Sequence, residues 1–171
     1  MTSANLEWWQ RGPVDGVPDM LQPVAHMMLQ MRDEVGAALN ELPLEAWNAH
    51  PANVASVGYH VRHITGVLDR LFTYARGESL NDEQFAALRR EGDPVAEGEP
   101  AVLLEGLSAR VDACLAELRR IDASKLAEVR LIGRSKLPST MLGCLVHGAE
   151  HSMRHLGQLL VTARVARGAG G

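Results

Sequence analysis

Three histidines, His147, His151 and His155, stand four residues apart in HGAEHSMRHLGQ, residues 147–158. On a helix a step of four turns through about 400°, so successive rings drift by only ~40° and share one face. One pair of imidazoles from this row can grip a single divalent ion. A catalytic ion usually takes three protein ligands and keeps a position open, so a third ligand has to come from another element. SVGYHVRHI, residues 56–64, offers His60 and His63. Helical periodicity slightly prefers His60, which sits nearer the apolar arc that starts at Val57, with His63 at the edge of that arc.

A lone helical histidine is usually structural or solvated, so the surroundings of the row matter. Leu142, Val146, Ala149, Met153, Leu156 and Leu160 read as the main apolar row of this helix, with the histidines nearly opposite. Leu145, Leu159 and Val161 flank the histidines and make their face only partly polar, which points to a cleft or a second packing surface. The row lacks the Glu of H-E-x-x-H that serves as general base in a zincin protease, because Glu150 precedes His151 instead. No Ser or Cys paired with a base, no phosphate-cradling loop and no dinucleotide fingerprint is present. Three neutral imidazoles would leave a bound ion its full double charge, enough to acidify a bound thiol or water near neutral pH.

The elements that must position these side chains read as four helices. The first runs from Pro23 to Leu42 with Val24, Met28, Met31, Val35, Ala38 and Leu42 in register. The second carries Val57, Val61, Ile64, Leu68, Leu71 and Ala75, with Ser56 as N-cap and Gly77 as stop. The third spans about Pro100 to Ile121, and the fourth opens near Ser139 and continues to about Arg167. A long polar connection joins the second and third helices, with Asn81 and Gln84 spaced as a capping box for a short helix. A connection of that length lets the two run parallel. The stretch ASKLAEVRLIGRSKLPS before the fourth helix reads as irregular or extended loop. Trp8 and Trp9 read as pins for an N-terminal arm, or as a pocket wall; the methionines Met20, Met27, Met28 and Met31 read as core; His26 reads as solvated or interfacial; His50 has no evident partner.

SVGYHVRHI followed downstream by HSMRHLGQ resembles the DinB-like superfamily, in which a Ser-hydrophobic-Gly opening leads to a His-Ile or His-Leu pair and a later H-x-x-x-H precedes Gly-Gln. The resemblance extends over roughly residues 20–166. It implies an all-α four-helix bundle, up-down-down-up, with a long crossover between helices 2 and 3. By position it implies His63, His151 and His155 as metal ligands, against the mild preference of periodicity for His60. His60 then becomes an alternative ligand or a group supporting one, and His147 extends the row without matching a family metal position. The family often carries an aromatic before the helix-two serine; here that residue is Ala55. Dimers are common in the family, and some members are thiol transferases or isomerases using a low-molecular-weight thiol. The expected cofactor is therefore a divalent ion (Zn, Ni or Fe), with such a thiol as cosubstrate and an electrophilic small molecule as acceptor. A non-catalytic dimeric metal- or ligand-binding protein and a metal-dependent hydrolase are the alternatives.

Bulk properties fit that picture. The chain has 171 residues, 46% of them hydrophobic but only 4% aromatic, a palette of Leu, Val, Ala and Met that suits packed helices in one domain. That domain is expected to span 1–171, with an N-terminal arm at about 1–19 and a frayed tail at about 168–171. A net charge of -4 argues against nucleic acid as a partner. With neither a signal-peptide pattern nor a run of about 20 apolar residues, a cytoplasmic protein without membrane association is expected. Cys114 and Cys144, each in an apolar helical stretch, read as buried reduced thiols.

Overall fold

The computed structural model describes residues 6–168. Four long helices dominate it: α1 (Gln22–Leu39), α3 (Val57–Ala75), α5 (Glu99–Leu118) and α6 (Met141–Gly168). Short helices α2 (Leu44–Asn48) and α4 (Asp82–Arg89) lie in the connections, and β1 (Val129–Ile132) pairs antiparallel with β2 (Leu137–Thr140) just before α6. No helix among the described residues is long and apolar enough to cross a membrane.

Local chemistry sets the boundaries. Pro23 occupies the first turn of α1, where its missing N–H costs nothing. The Ser56 hydroxyl accepts from the Tyr59 backbone N–H at 3.2 Å and starts α3. Asn81 and Gln84 form the full reciprocal capping box of α4.

Each long helix then buries its apolar stripe: Val24, Met28, Met31 and Val35 on α1, Val57, Val61, Ile64 and Leu68 on α3, Leu107, Val111 and Leu118 on α5. Each such side chain removed from water contributes roughly 1.5–3 kcal/mol. The core joins α3 to α6 and α5, and α1 to the same two helices. The pairs Arg62–Glu99, Asp69–Arg110 and Arg76–Glu117 climb α3 and α5 together. His60 meets His155 and His63 meets His151, so α3 and α6 run in opposite directions. Arg167 at the end of α6 reaches the Ala38 and Asn40 carbonyls at the end of α1.

The structure departs from the sequence reading in several places. The stretch expected as loop contains the hairpin, in which Arg130 and Ile132 turn inward while Val129 and Leu131 face outward. Its turn uses Gly133 and Lys136 at positive φ. The last helix starts at Met141 because Ser139 and Thr140 belong to β2 and the Thr140 hydroxyl accepts from the Gly143 N–H.

On α6 the buried seam is Leu145, Gly148, Ala149, Ser152, Leu156, Leu159 and Ala163, and Val146 is exposed. Two seam positions, Gly148 and Ser152, are not hydrophobic in the usual sense, which displaced the apparent stripe. Gly148 allows a close approach there: a Cβ would lie 3.3 Å from the Leu71 Cβ, tight enough that Leu71 would have to give by a few tenths of an ångström. α1 ends at Leu39 rather than Leu42, and α2 follows it. Met20 is exposed, whereas Met28 and Met31 are core. Of the two tryptophans it is Trp8 that pins the arm, through Gln30 and Asp33 on α1, while Trp9 is solvent-exposed. The expected frayed tail lies, from residue 169 on, outside the described residues.

Candidate metal centre

Two facing helices supply the imidazoles. A three-residue step on α3 sets His60 and His63 one turn apart, and the four-residue step on α6 stacks His151 and His155. His63 Nε2 lies 3.0 Å from His151 Nε2. The His155 ring centroid is 4.3 Å from that of His63 and 4.7 Å from that of His151. One nitrogen from each of His63, His151 and His155 falls within 4.8 Å of the other two. Nitrogens around a tetrahedral zinc, with bonds of about 2.0–2.1 Å, sit about 3.4 Å apart, so three neutral imidazoles gathered this closely suit a small divalent ion.

The α3 side is held from behind. Glu91, between α4 and α5, places Oε2 2.6 Å from His63 Nδ1 and accepts at Oε1 from Arg70 at 2.8 Å. Glu91 and Arg70 are only 5% and 8% exposed. A carboxylate can only accept, so the His63 Nδ1 carries its proton and the Nε2 lone pair points at the other histidines, as in metal sites backed by a carboxylate. Burial works to raise the Glu91 pKa, but the hydrogen bonds from His63 and Arg70 and the Arg70 charge outweigh it and hold the carboxyl below its usual range.

Gly66 is part of the same construction. A Cβ there would come within 2.5 Å of Arg70 Nη1 and 2.7 Å of Glu91 Oε1. The segment around Glu91 is itself strapped down: Asn48 exchanges two hydrogen bonds with the Val95 backbone, and Arg62 donates to the Asp93 and Pro94 carbonyls. Val95 packs where a side chain on Gly58 would collide with it. Glycine at the third position of SVGYHVRHI thus lets the connection lie across the start of α3.

The α6 side is looser. Arg154 donates to His151 Nδ1 at 3.1 Å and clasps Glu150 through Nε at 2.6 Å and Nη2 at 2.9 Å, all near the surface. His155 Nδ1 lies 3.0 Å from His60 Nδ1. Tyr59 stacks on His63, with centroids 5.2 Å apart and planes 13° apart.

Burial, then the nearby His63, lowers His60 to about 4. Burial, then the neighbouring His63, His151, His60 and Arg154, brings His155 to about 4 as well. His151 is lowered by burial and by His63. These three rings are accordingly neutral at pH 7, the state in which imidazole binds a metal.

Of the residues singled out in the sequence, the structure brings His63, His151 and His155 together. It buries His60 to 3% exposure, as periodicity suggested, but against His155 and outside the group of three. His147 stays exposed, 3.6 Å from Glu150, and also lies outside the group. His26 reaches the Gly12 carbonyl and His50 the Val54 carbonyl, both remote in role from the cluster. Cys114 and Cys144 are buried, and burial pushes the Cys114 thiol up to about 12, so neither is poised as a nucleophile. Sequence reasoning missed Glu91 and Arg70: one carboxylate within LRREGDP carries no local signal, and the partnership joins residues 21 and 28 positions apart.

A family model described as the DinB superfamily matches residues 27–159. The crystal structure of a conserved protein from Enterococcus faecalis aligns with a TM-score of 0.71 over 86% of this chain and 97% of that one. At 20% identity that likeness speaks to the fold alone. No curated protein matches the chain.

Proposed function

This chain belongs to the DinB superfamily, and from that membership and its converging imidazoles we propose that it is a divalent-metal-dependent enzyme transferring a low-molecular-weight thiol to an electrophilic small molecule. The observation that carries the reading is the size of the group. Among the described residues three histidines converge and no fourth His, Cys, Asp or Glu joins them, the ligand count of an open, catalytic site rather than a closed structural one. A divalent ion bound there supplies a Lewis acid that makes a thiol or water nucleophilic near neutral pH.

The protein's own contribution is positioning. Glu91 and Arg70 fix the orientation and tautomer of His63, His60 supports His155, and Tyr59 covers one face of His63. Zn, Ni and Fe all accept imidazole donors, so any of them suits the site.

The same reading includes an up-down-down-up four-helix bundle, supported by the parallel climb of α3 with α5 and the opposed run of α3 and α6. It includes a single domain over the whole chain, a cytoplasmic location and no nucleic-acid partner. A second reading, a non-catalytic dimeric metal- or ligand-binding protein, is favoured by Val129 and Leu131, exposed together on the outward face of the hairpin and suited to a homodimer contact.

Elemental analysis of protein purified without an affinity tag or chelator tests the centre. Near-stoichiometric metal is expected in the wild type and none in His63→Ala or His151→Ala. A protein that remains metal-free after exposure to Zn and Ni, or keeps its metal without His63, overturns the assignment. Turnover of an electrophile only when thiol is added supports transfer, and turnover without thiol points to hydrolysis.

A further inference from the structure

Beside the histidines, α6, His60 of α3 and the segment that leads into α3 line a cavity of about 580 Å³, within the size range of small-molecule sites. Val54, Ala55, Gly157, Val161 and Thr162 wall it. Two other lining residues touch the histidine group directly: His60 meets His155, and Arg154 meets His151. Small side chains at two lining positions leave the space open: a methyl group on Ala55 and a hydrogen on Gly157, where an added Cβ would meet nothing within 4 Å.

We propose that this cavity is the substrate chamber of the centre and takes a small, uncharged, largely apolar molecule. The inference rests on the metal-enzyme reading for its role, but the cavity itself does not depend on it. Apolar walls favour an apolar occupant. The one charged wall residue, Arg154, is already clasped by Glu150 through two contacts, so the rim offers no unbalanced charge to an ion. Arg154 and the exposed amide of Gln158 remain able to donate to a single carbonyl or similar group of the occupant. The other large cleft, of about 550 Å³, is a poorer candidate. Its lining includes the charged Arg62, Asp69, Arg90, Asp93, Glu99 and Arg110, which suit a polar occupant, and its polar link to the histidine group is through Glu91 alone.

Fluorobenzene is a suitable probe, followed by its fluorine NMR signal on full-length protein loaded with zinc and, in parallel, with paramagnetic cobalt. Saturable binding is expected in the wild type, with strong relaxation enhancement in the cobalt form. Gly157→Leu, which fills the cavity from a helix position with no steric obstacle, and Ala55→Phe, which fills it from the segment that leads into α3, should each weaken binding at least about tenfold with metal content unchanged. Non-saturable binding, or saturable binding that neither variant weakens, overturns the chamber. Cobalt that leaves the bound fluorine unaffected overturns its role beside the metal. A wild type that binds fluorobenzene in a Gly157-sensitive way but takes up no zinc or cobalt retains the cavity and defeats the metal-enzyme reading instead.

Discussion

The two helices that share the histidines hold them by opposite means. On α3, His63 is backed by a carboxylate, an arginine and a glycine, all within the protein and tied to a connection that crosses the helix. On α6, His151 is backed by the surface pair Arg154–Glu150. Buried charge with complete partners is stiff and costly to break, whereas surface charge is soft and cheap to lose. The site therefore has one preorganised wall and one adjustable wall, and the long connection from α3 to α5 is a component of the centre as well as a link.

Removing Glu91 attacks the stiff wall and should have the largest effect. Glu91→Ala leaves Arg70 buried without its counter-charge, and losses of this kind run to about 3–5 kcal/mol. Chemical denaturation of the metal-free protein should show a drop of that order. Glu91→Gln also removes the charge that partners Arg70, but it keeps the shape and one acceptor, so its loss of stability should be smaller than that of Glu91→Ala, and metal affinity should be weaker by about 10–100-fold when measured by competition with a chelator. A Glu91→Gln protein with wild-type affinity would dissolve the contrast between the two walls.

Gly66→Ala probes the same wall through space. Its methyl group would need the Arg70 and Glu91 side chains to give way, and overpacking of this kind costs about 1–3 kcal/mol. Helix propensity runs the other way, since alanine is favoured over glycine by about 1 kcal/mol in a helix. A net loss in thermal denaturation confirms that the cradle is tight, and a net gain shows that the ion pair moves aside.

How much of this could be read from the chain follows the same division. The paired histidines were legible because helical spacing is local: a step of three or four residues fixes a shared face wherever the helix packs. The Ser56 cap and the Asn81–Gln84 box were legible for the same reason. The choice of His63 over His60 was not local. Periodicity correctly made His60 the more buried ring, but the partner of each ring is decided by the register of α3 against α6, which no stretch of either helix encodes. Glu91 was further out of reach, because it sits in a polar connection and acquires its meaning only when Arg70 and His63 surround it. The hairpin escaped because four-residue strands, one stopped by Gly133 and the other carrying Pro138 within it, offer too few alternations to distinguish them from a loop.

Acid should expose the inner pair that bridges the two walls. His60 and His155 drop from an ordinary value of 6.5 to about 4 on folding. Between those values the unfolded chain binds protons that the metal-free folded protein refuses, so stability is unaffected by these groups above about pH 6.5 and falls as pH drops from there toward 4. Denaturation midpoints of metal-free protein should decline through that window, and His60→Phe should flatten the decline. An unchanged slope in that variant would assign the acid sensitivity to other groups.

The smallest effect belongs to Arg154. Its contacts to Glu150 and His151 lie at the surface, and exposed pairs of this sort contribute about 0.2–1 kcal/mol. Arg154→Ala should therefore leave the denaturation midpoint almost where it was. Its effect on the metal is predicted to be equally slight but of definite sign. Arginine can only donate, so in the metal-free protein its contact with His151 Nδ1 favours the tautomer that carries the proton on Nε2, the nitrogen facing His63. A ligand nitrogen must shed that proton, so Arg154 opposes binding through Nε2, and its removal should tighten zinc binding by a few-fold in the same chelator competition. Weaker binding on removal would mean that His151 coordinates through Nδ1 with Arg154 displaced, or that Arg154 holds the ring in place. The α6 wall would then be as preorganised as the α3 wall.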